Sequence, residues 1–127
     1  MTRINDPAVV AELTDLYLKY EKALCANDIE TLNYLFWDSP EALRFGITEN
    51  LYGSEEIKAF RQSRLPVNIE EMFNLKIFTF EVDMAAVNIE FHQVVDGIPR
   101  LGRQSQMWRK FSEGWKIVSA HVSYLLT

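Results

Sequence analysis

The sequence of 127 residues has few of the side chains that build disulfides or metal sites: it contains one cysteine, Cys25, and two histidines, His92 and His121. A single cysteine excludes an intrachain disulfide, and the spacing of these three residues predicts neither a metal site nor a cofactor. Runs of about 18 apolar residues are missing too, and the start MTRINDPAVV has no basic-then-apolar signal region. We therefore expect a cytoplasmic protein that does not associate with membranes.

Basic residues are outnumbered in this chain. Lysine and arginine together number 13 against 18 aspartates and glutamates, which gives a formal net charge of −5. An acidic chain is poorly suited to binding a phosphate backbone, so we expect no nucleic-acid partner. The sequence also lacks a glycine-rich phosphate loop and the Gly-x-Ser-x-Gly elbow of serine hydrolases. With no linker and no internal repeat, residues 1–127 are predicted to form a single domain.

Helical spacing governs the beginning of the chain. Asp6 and Pro7 are typical of a helix start, and the helix is predicted to run to about Ala26. Asn27 can end this helix, and Asp28 can cap a second one over DIETLNYLFW. Apolar side chains recur at helical spacing along the first helix, which predicts its buried face: Val9, Leu13, Leu16, Tyr17, Tyr20 and Leu24.

Strand patterns follow the break at Pro40. Residues 42–47 and a second stretch around Leu51 read as short strands, and a third helix is predicted to begin at Ser54 and to end at Pro66. From residue 69 onward, runs rich in Ile, Val, Phe and Thr predict an antiparallel meander. Its strands are residues 69–80, 85–95, 99–111 and 115–125, with turns at Asp96-Gly97 and Glu113-Gly114.

The length of these strands predicts the shape of the domain. Strands of about ten residues are long for a small domain, and long antiparallel strands must twist and curl. With helices first and sheet last, we expect an α+β fold. It would be a cone-shaped half-barrel in which the N-terminal helices close the open side of a strongly curved antiparallel sheet and leave an internal cavity.

Three arginines occupy positions where apolar residues would be expected. Arg44 alternates with apolar residues in the first predicted strand, and Arg61 and Arg64 fall on the apolar stripe of the third helix. Buried guanidinium groups keep their protons and need carboxylate or phosphate partners. One interpretation is a pocket for a small anionic ligand. The other is a set of ordinary ion pairs with nearby glutamates: Glu49, Glu55 and Glu56.

Further polar and aromatic side chains could serve such a pocket. Tyr20 either gives its hydroxyl proton to a developing anion or is a core tyrosine bonded to a backbone carbonyl. Gln104 and Trp108 share a strand face, where Gln104 could hydrogen-bond to a ligand and Trp108 could form an apolar wall. Core packing is the commoner role of such a tryptophan. His121 and Ser123 either line the cavity or are structural, because periodicity does not decide which face looks inward. Strict alternation would place them on one face with Trp115, Ile117 and Ser119.

Several segments carry a resemblance to known proteins. The order of helices and meander, with the closing GWKIVSAHVSYL, resembles the nuclear transport factor 2-like superfamily, also called cystatin-like or SnoaL-like. More closely, NDPAVVAELTDLYLKYEKAL, LFW, RFGITENLYG, FRQSR and GRQSQMW resemble the AtzH-like family, which includes the oxalurate-catabolism protein HpxZ. The resemblance spans essentially the whole chain.

This resemblance implies a function and a site. It implies a homodimer formed through sheet faces, and a role in the breakdown of small carboxylated ureas in purine-ring or triazine-ring degradation, beside amidase-family partner proteins. The family's catalytic tyrosine and arginine match Tyr20 and Arg44. Where the family commonly has histidine and aspartate after the tryptophan of LFW, this chain has Asp38 and Ser39.

These observations lead to three functional hypotheses. In the first, the protein is a cofactor-free hydrolase or deaminase, in which Arg44 clamps the carboxylate of a small carboxylated urea and Tyr20 positions or protonates the leaving nitrogen. In the second, it is a non-catalytic module that binds a metabolite or docks onto an amidohydrolase. In the third, it is an isomerase or cyclase with a large apolar cavity and a carboxylate base. The substrate-binding candidates are Arg61, Arg64, Glu49, Gln104, Trp108, His121 and Ser123.

Overall fold

The computed structural model describes residues 3–64 and 67–126. Within these ranges the chain forms helices that pack on one face of a curved, unclosed sheet, so the predicted α+β fold is confirmed. The elements in chain order are α1 (Pro7–Ala26), α2 (Ile29–Leu35), β1 (Leu43–Phe45), β2 (Asn50–Tyr52), α3 (Ser54–Ser63), β3 (Glu71–Phe80), β4 (Met84–Val95), β5 (Ile98–Phe111) and β6 (Gly114–Tyr124).

Helix α1 has the predicted bounds because both of its caps are local. The Asp6 side chain accepts a hydrogen bond from the Ala8 backbone N–H, and Pro7 occupies the first helical position. At the other end Asn27 adopts a left-handed backbone, φ 52°, and stops the helix. The predicted stripe is buried except for Leu16, which is only partly buried.

Helix α3 is shorter than predicted. It ends at Ser63, and the expected stop at Pro66 lies outside the described residues. Arg64 has an extended backbone, with φ −94° and ψ 143°. It therefore leaves the helical stripe on which spacing had placed it beside Arg61.

The sheet has the strand order β2-β1-β6-β5-β4-β3. Strands β3 to β6 form the predicted antiparallel meander, whereas β1 pairs in parallel with β6 and places Arg44 opposite Ala120. The short β1–β2 hairpin thus extends the sheet beside its last strand. This pairing brings the hairpin and helix α3 to the same end of the domain.

A β-bulge at Val118 changes which residues of β6 face the helices. Met107 lies opposite Ser119, but Trp108 lies opposite Ile117, so Val118 is an extra residue on β6. A bulge of this kind interrupts the alternation of faces. Ile117 is buried before the bulge and Ala120 after it, which makes the expected common face of Ile117 and His121 wrong.

The core fills the space between the helices and the sheet. The Trp108 side chain is fully buried there, and its indole N–H donates to Gln106 Oε1 at 2.9 Å. Trp108 belongs to a buried cluster that also contains Leu13, Tyr17, Leu32 and Ile117. None of the helices in the described ranges is long and apolar enough to cross a bilayer.

Asn27 connects the end of α1 to the residue that follows α3. Its Nδ2 donates to the carbonyl oxygen of Arg64 at 3.1 Å. Because glycine keeps the left-handed conformation, Asn27→Gly should remove only this bond and lower the free energy of unfolding by about 1 kcal/mol. Asn27→Ala should lose about 1 kcal/mol more through strain at positive φ. Urea unfolding measures both, and an Asn27→Gly variant as stable as the wild type would contradict the anchoring role.

Candidate functional site

A cavity of about 280 Å³ lies between the helices and the sheet, at the end where the β1–β2 hairpin meets α3. This volume is near the lower limit of small-molecule sites, which suits a small metabolite. Most of its wall is apolar. Leu24 and Phe60 contribute from the helices, and Met72, Phe91 and Val122 contribute from the sheet.

A polar end of the cavity is built around Arg44. Alternation along β1 turns this residue inward, where it is 6% exposed. Its Nη1 donates to Glu49 Oε1 at 2.8 Å, and both side chains line the cavity. The ion-pair interpretation is therefore confirmed for Arg44, but the pair lies inside the cavity wall and not on the outer surface.

Glu49 is held in place by its own hairpin turn. The backbone N–H and the hydroxyl of Thr48 donate to Glu49 Oε2 at 3.2 and 2.6 Å. Burial alone would raise the pKa of Glu49, but the hydrogen bonds from Thr48 and Arg44, together with the Arg44 charge, outweigh it and lower the pKa. The carboxylate is thus ionised at neutral pH and committed to Arg44.

Arg64 is the second cation in the cavity wall. Its guanidinium and that of Arg44 lie 5.3 and 5.4 Å from the centre of the Phe60 ring. Among the described residues, the buried Arg64 Nε has no hydrogen-bond partner and no acidic side chain forms an ion pair with Arg64. Burial, and then the charge of Arg44, lower the pKa of Arg64. Two guanidinium groups against one carboxylate leave the cavity with an excess positive charge.

Arg61 is not brought to this cavity. It is 2% exposed, its Nη1 donates to Asn33 Oδ1 at 3.0 Å, and its guanidinium lies 4.3 Å from the centre of the Phe36 ring. Burial lowers its pKa to about 10, so it remains protonated at neutral pH. It lines a much smaller pocket that also contains Asp38, whose Oδ1 accepts from Lys58 at 3.1 Å. Arg61 and Arg64 diverge because α3 ends between them.

Tyr20 lies beneath the cavity wall, behind Gln104. Gln104 lines the cavity, and its Nε2 donates to the Tyr20 hydroxyl at 3.1 Å. Tyr20 itself is 1% exposed and packs near Phe36. The expectation that a core tyrosine would bond to a backbone carbonyl is wrong about the partner, which is a side-chain amide. Gln104 thus connects Tyr20 to the ligand space.

The remaining candidates lie elsewhere. Trp108 is in the core and does not line the cavity. His121 and Ser123 face away from the cavity, in a shallow outer depression with Arg103 and Ser105. Among the described residues, no group of three or more His, Cys, Asp or Glu side chains is placed to hold a metal ion.

Some wall residues were not foreseen from the sequence. Gln93 and Tyr124 line the cavity and share a hydrogen bond, in which the Tyr124 hydroxyl donates to Gln93 Oε1 at 2.8 Å. Phe91 packs directly over Gly102, where a Cβ atom would overlap its ring. A glycine inside a long strand often marks such a close approach, and Gly102 was the available signal for Phe91.

Comparison with known proteins places the chain in a family. The model of the AtzH-like family matches residues 2–127. The chain belongs to the AtzH-like family. No protein in a comparison with the curated proteins matches it.

Two solved structures are similar to this AtzH-like chain over nearly its full length. A cystatin-like fold protein from Burkholderia xenovorans is 41% identical, with a TM-score of 0.92, covering 100% of this chain and 99% of that one. A protein of unknown function from Pectobacterium atrosepticum is 42% identical, with a TM-score of 0.90, covering 97% and 95%. A nuclear transport factor 2-like protein from Pseudomonas putida, at 14% identity and a TM-score of 0.80 over 96% and 90%, shares the fold alone.

Gly46 makes room for the Arg44–Glu49 pair. A Cβ atom at residue 46 would overlap Glu49 Oε1 and lie 3.1 Å from Arg44 Nη1. Gly46→Ala should therefore push the carboxylate off the guanidinium and cost about 1 to 3 kcal/mol of unfolding free energy, the range for leaving a buried polar group unpaired.

A double-mutant cycle checks the cause of this loss. In a Glu49→Ala background, Gly46→Ala should cost much less, because the clashing carboxylate is gone. Urea unfolding of the four proteins measures the cycle, and fully additive losses would contradict this account of Gly46.

Proposed function

We propose that this AtzH-like protein binds a small carboxylate of the carboxylated-urea type in its cavity and promotes hydrolysis or deamination of a C–N bond in it. The observation that carries the proposal is the excess positive charge of the cavity wall, which resides on Arg64. A guanidinium group of this kind can hold a carboxylate through two parallel N–H donors. The cavity volume of about 280 Å³ accommodates a molecule of this size.

The polar end suits the two functional groups of such a molecule. Arg64 would take the carboxylate, and the N–H donors that Arg44 does not give to Glu49 would add a second contact. Gln104 donates through Nε2 to Tyr20, which leaves its carbonyl oxygen to accept an N–H of the urea. A planar, anionic molecule with an amide next to its carboxylate is therefore complementary to this arrangement.

Catalysis would rest on charge stabilisation. Water adds to the carbonyl carbon of the carboxylated urea, the C–N bond breaks, and the departing nitrogen leaves as ammonia after taking a proton from solvent. The N–H donors that Arg44 does not give to Glu49 would lower this barrier where they face the carbonyl oxygen, on which negative charge develops. Tyr20 would act as a positioning residue that holds Gln104, because its hydroxyl lies behind the wall and not in it.

Binding without turnover is the second candidate function, and the placement of Tyr20 favours it. No acid or base with an uncommitted side chain lines the cavity among the described residues, since Glu49 is bound to Arg44 and Thr48. The same commitment and the lowered pKa make Glu49 a weak base for an isomerase or cyclase. A homodimer through the outer sheet face and an amidase-family partner stay predictions.

Removing Arg64 tests the anion site. Arg64→Gln should weaken binding of carboxyurea or oxalurate about 10- to 100-fold, the usual effect of losing a charged hydrogen bond. Arg109→Gln, which removes an equal charge from an exposed arginine paired with Asp83 at 3.5 Å, is the matched control. Calorimetric titration measures both, and equal affinities for the two variants would argue against the proposed site.

Turnover by the wild type separates the enzyme from the binding module, and Tyr20→Phe tests the positioning role of Tyr20. The substitution removes the acceptor that orients Gln104 and should reduce the release of ammonia from carboxyurea or oxalurate at least tenfold, with a change in kcat larger than in KM. Ammonia release by the wild type is measured first, and its absence alongside tight binding would leave the binding module as the function. Unchanged kcat in the Tyr20→Phe variant would contradict the positioning role.

A further inference from the structure

The cavity wall contains two polar side chains that the proposed function does not use. Gln93 on β4 and Tyr124 at the end of β6 both line the cavity, and both are half-buried. The Tyr124 hydroxyl donates to Gln93 Oε1 at 2.8 Å. Because β5 lies between β4 and β6 in the sheet, the two side chains meet above β5. They give the wall a second polar contact, away from Arg44 and Arg64.

The hydrogen bond between these two side chains determines which atoms of Gln93 remain for a ligand. Burial raises the pKa of Tyr124, so its hydroxyl keeps its proton at neutral pH and can donate. Gln93 Oε1 accepts this proton, and Gln93 Nε2 keeps both of its N–H groups. Among the described residues, the side-chain amide of Gln93 makes no other hydrogen bond. Its N–H groups are therefore available to an acceptor in the cavity.

Gln93 and Tyr124 lie farther along the sheet than the polar end. Strand β1 runs parallel to β6 with Arg44 opposite Ala120, so Tyr124 is four residues farther along β6. Four residues of a strand span about 13 Å. The Arg44 guanidinium covers part of this gap, because its Nη1 lies 3.1 Å from where a Cβ atom of residue 46 would be. About 7 Å, or two residues, then remains along the sheet between the two groups of donors.

We propose that Gln93 is a specificity-determining residue whose Nε2 binds an acceptor oxygen at the far end of the ligand, while Tyr124 holds the amide in that orientation. The ligand would be an extended molecule, anchored by a carboxylate at Arg64 and carrying an oxygen several bonds away. This inference rests on the proposed function, because it requires the carboxylate at Arg64. It adds a second contact that selects ligands by their length and by the polarity of their far end.

The surroundings of Gln93 make this contact selective. Val95 on β4 and Val122 on β6 also line the cavity, and both are apolar. A ligand oxygen that loses its water among such side chains needs a donor, which the amide of Gln93 supplies. An alkyl group in the same place would leave the N–H groups of Gln93 unpaired. The wall therefore favours an acceptor oxygen over an alkyl group of the same size.

Oxalurate and N-isopropyl oxamate provide a matched test. They share a carboxylate and the amide beside it, but the terminal –CO–NH2 of oxalurate is replaced by –CH(CH3)2. In calorimetric titrations the wild type should bind oxalurate at least about tenfold more tightly. Gln93→Met keeps the length of the side chain and removes its N–H donors, so it should lower that ratio about tenfold. Gln62→Met, the same change at an exposed glutamine outside the cavity wall, should leave the ratio unchanged.

Two further variants assign the roles of Tyr124 and Arg64. Tyr124→Phe frees the amide of Gln93 to rotate, so it should lower the preference for oxalurate about threefold and leave the affinity for N-isopropyl oxamate unchanged. A merely structural effect would weaken both ligands alike and would contradict the positioning role of Tyr124. Arg64→Gln should weaken both ligands by a similar factor, because both have the carboxylate that Arg64 receives.

The outcomes separate this inference from the proposed function. If the wild type binds N-isopropyl oxamate as tightly as oxalurate, or if Gln93→Met keeps the wild-type ratio, Gln93 does not bind the far end of the ligand, although the anion site stands. If neither compound binds the wild type, the anion site is wrong and this inference falls with it. The wild-type ratio needs no variant, so the inference stays falsifiable even if Gln93→Met does not fold.

Discussion

The ion pair between Arg44 and Glu49 is the interaction on which this end of the molecule depends. A guanidinium group that is 6% exposed cannot be left without a partner, since an uncompensated buried charge costs several kcal/mol. The β1–β2 hairpin supplies the partner from five residues along the chain, at 2.8 Å. The absence of a side chain at Gly46 and the two hydrogen bonds from Thr48 follow from the need to hold that carboxylate there.

The three arginines at apolar positions of the sequence, Arg44, Arg61 and Arg64, have the same side-chain chemistry but different surroundings. Arg44 meets a carboxylate, Arg61 meets an amide oxygen and an aromatic ring, and Arg64 has no acidic partner among the described residues. The cavity obtains its excess charge from this inequality. If Arg44 and Arg64 both had carboxylate partners the cavity would carry no excess positive charge to attract an anion, and if neither had one the empty cavity would be destabilised by two unpaired charges.

Much of the fold could be predicted because its signals are local. The bounds of α1 follow from Asp6, Pro7 and Asn27, and the turns at Asp96-Gly97 and Glu113-Gly114 separate strands whose lengths were nearly right. The site was predicted less completely. Arg44, Arg64, Glu49 and Gln104 line the cavity, whereas Arg61, Tyr20, Trp108, His121 and Ser123 do not. The bulge at Val118 and the early end of α3 account for His121 and Arg61, and neither has a marker in the local pattern.

The sequence by itself determined the elements, their order, the family, and the presence of inward-facing arginines in a chain of net charge −5. Caps, turns and hydrophobic periodicity act over a few residues, so they can be read without coordinates. Only the tertiary structure decided which arginine has no acidic partner among the described residues, which side chain lies between Tyr20 and the cavity, and which face of β6 lines the cavity. Those outcomes depend on register and on contacts between residues far apart in the chain, such as Gln104 with Tyr20 and Asn27 with Arg64, which local patterns do not encode.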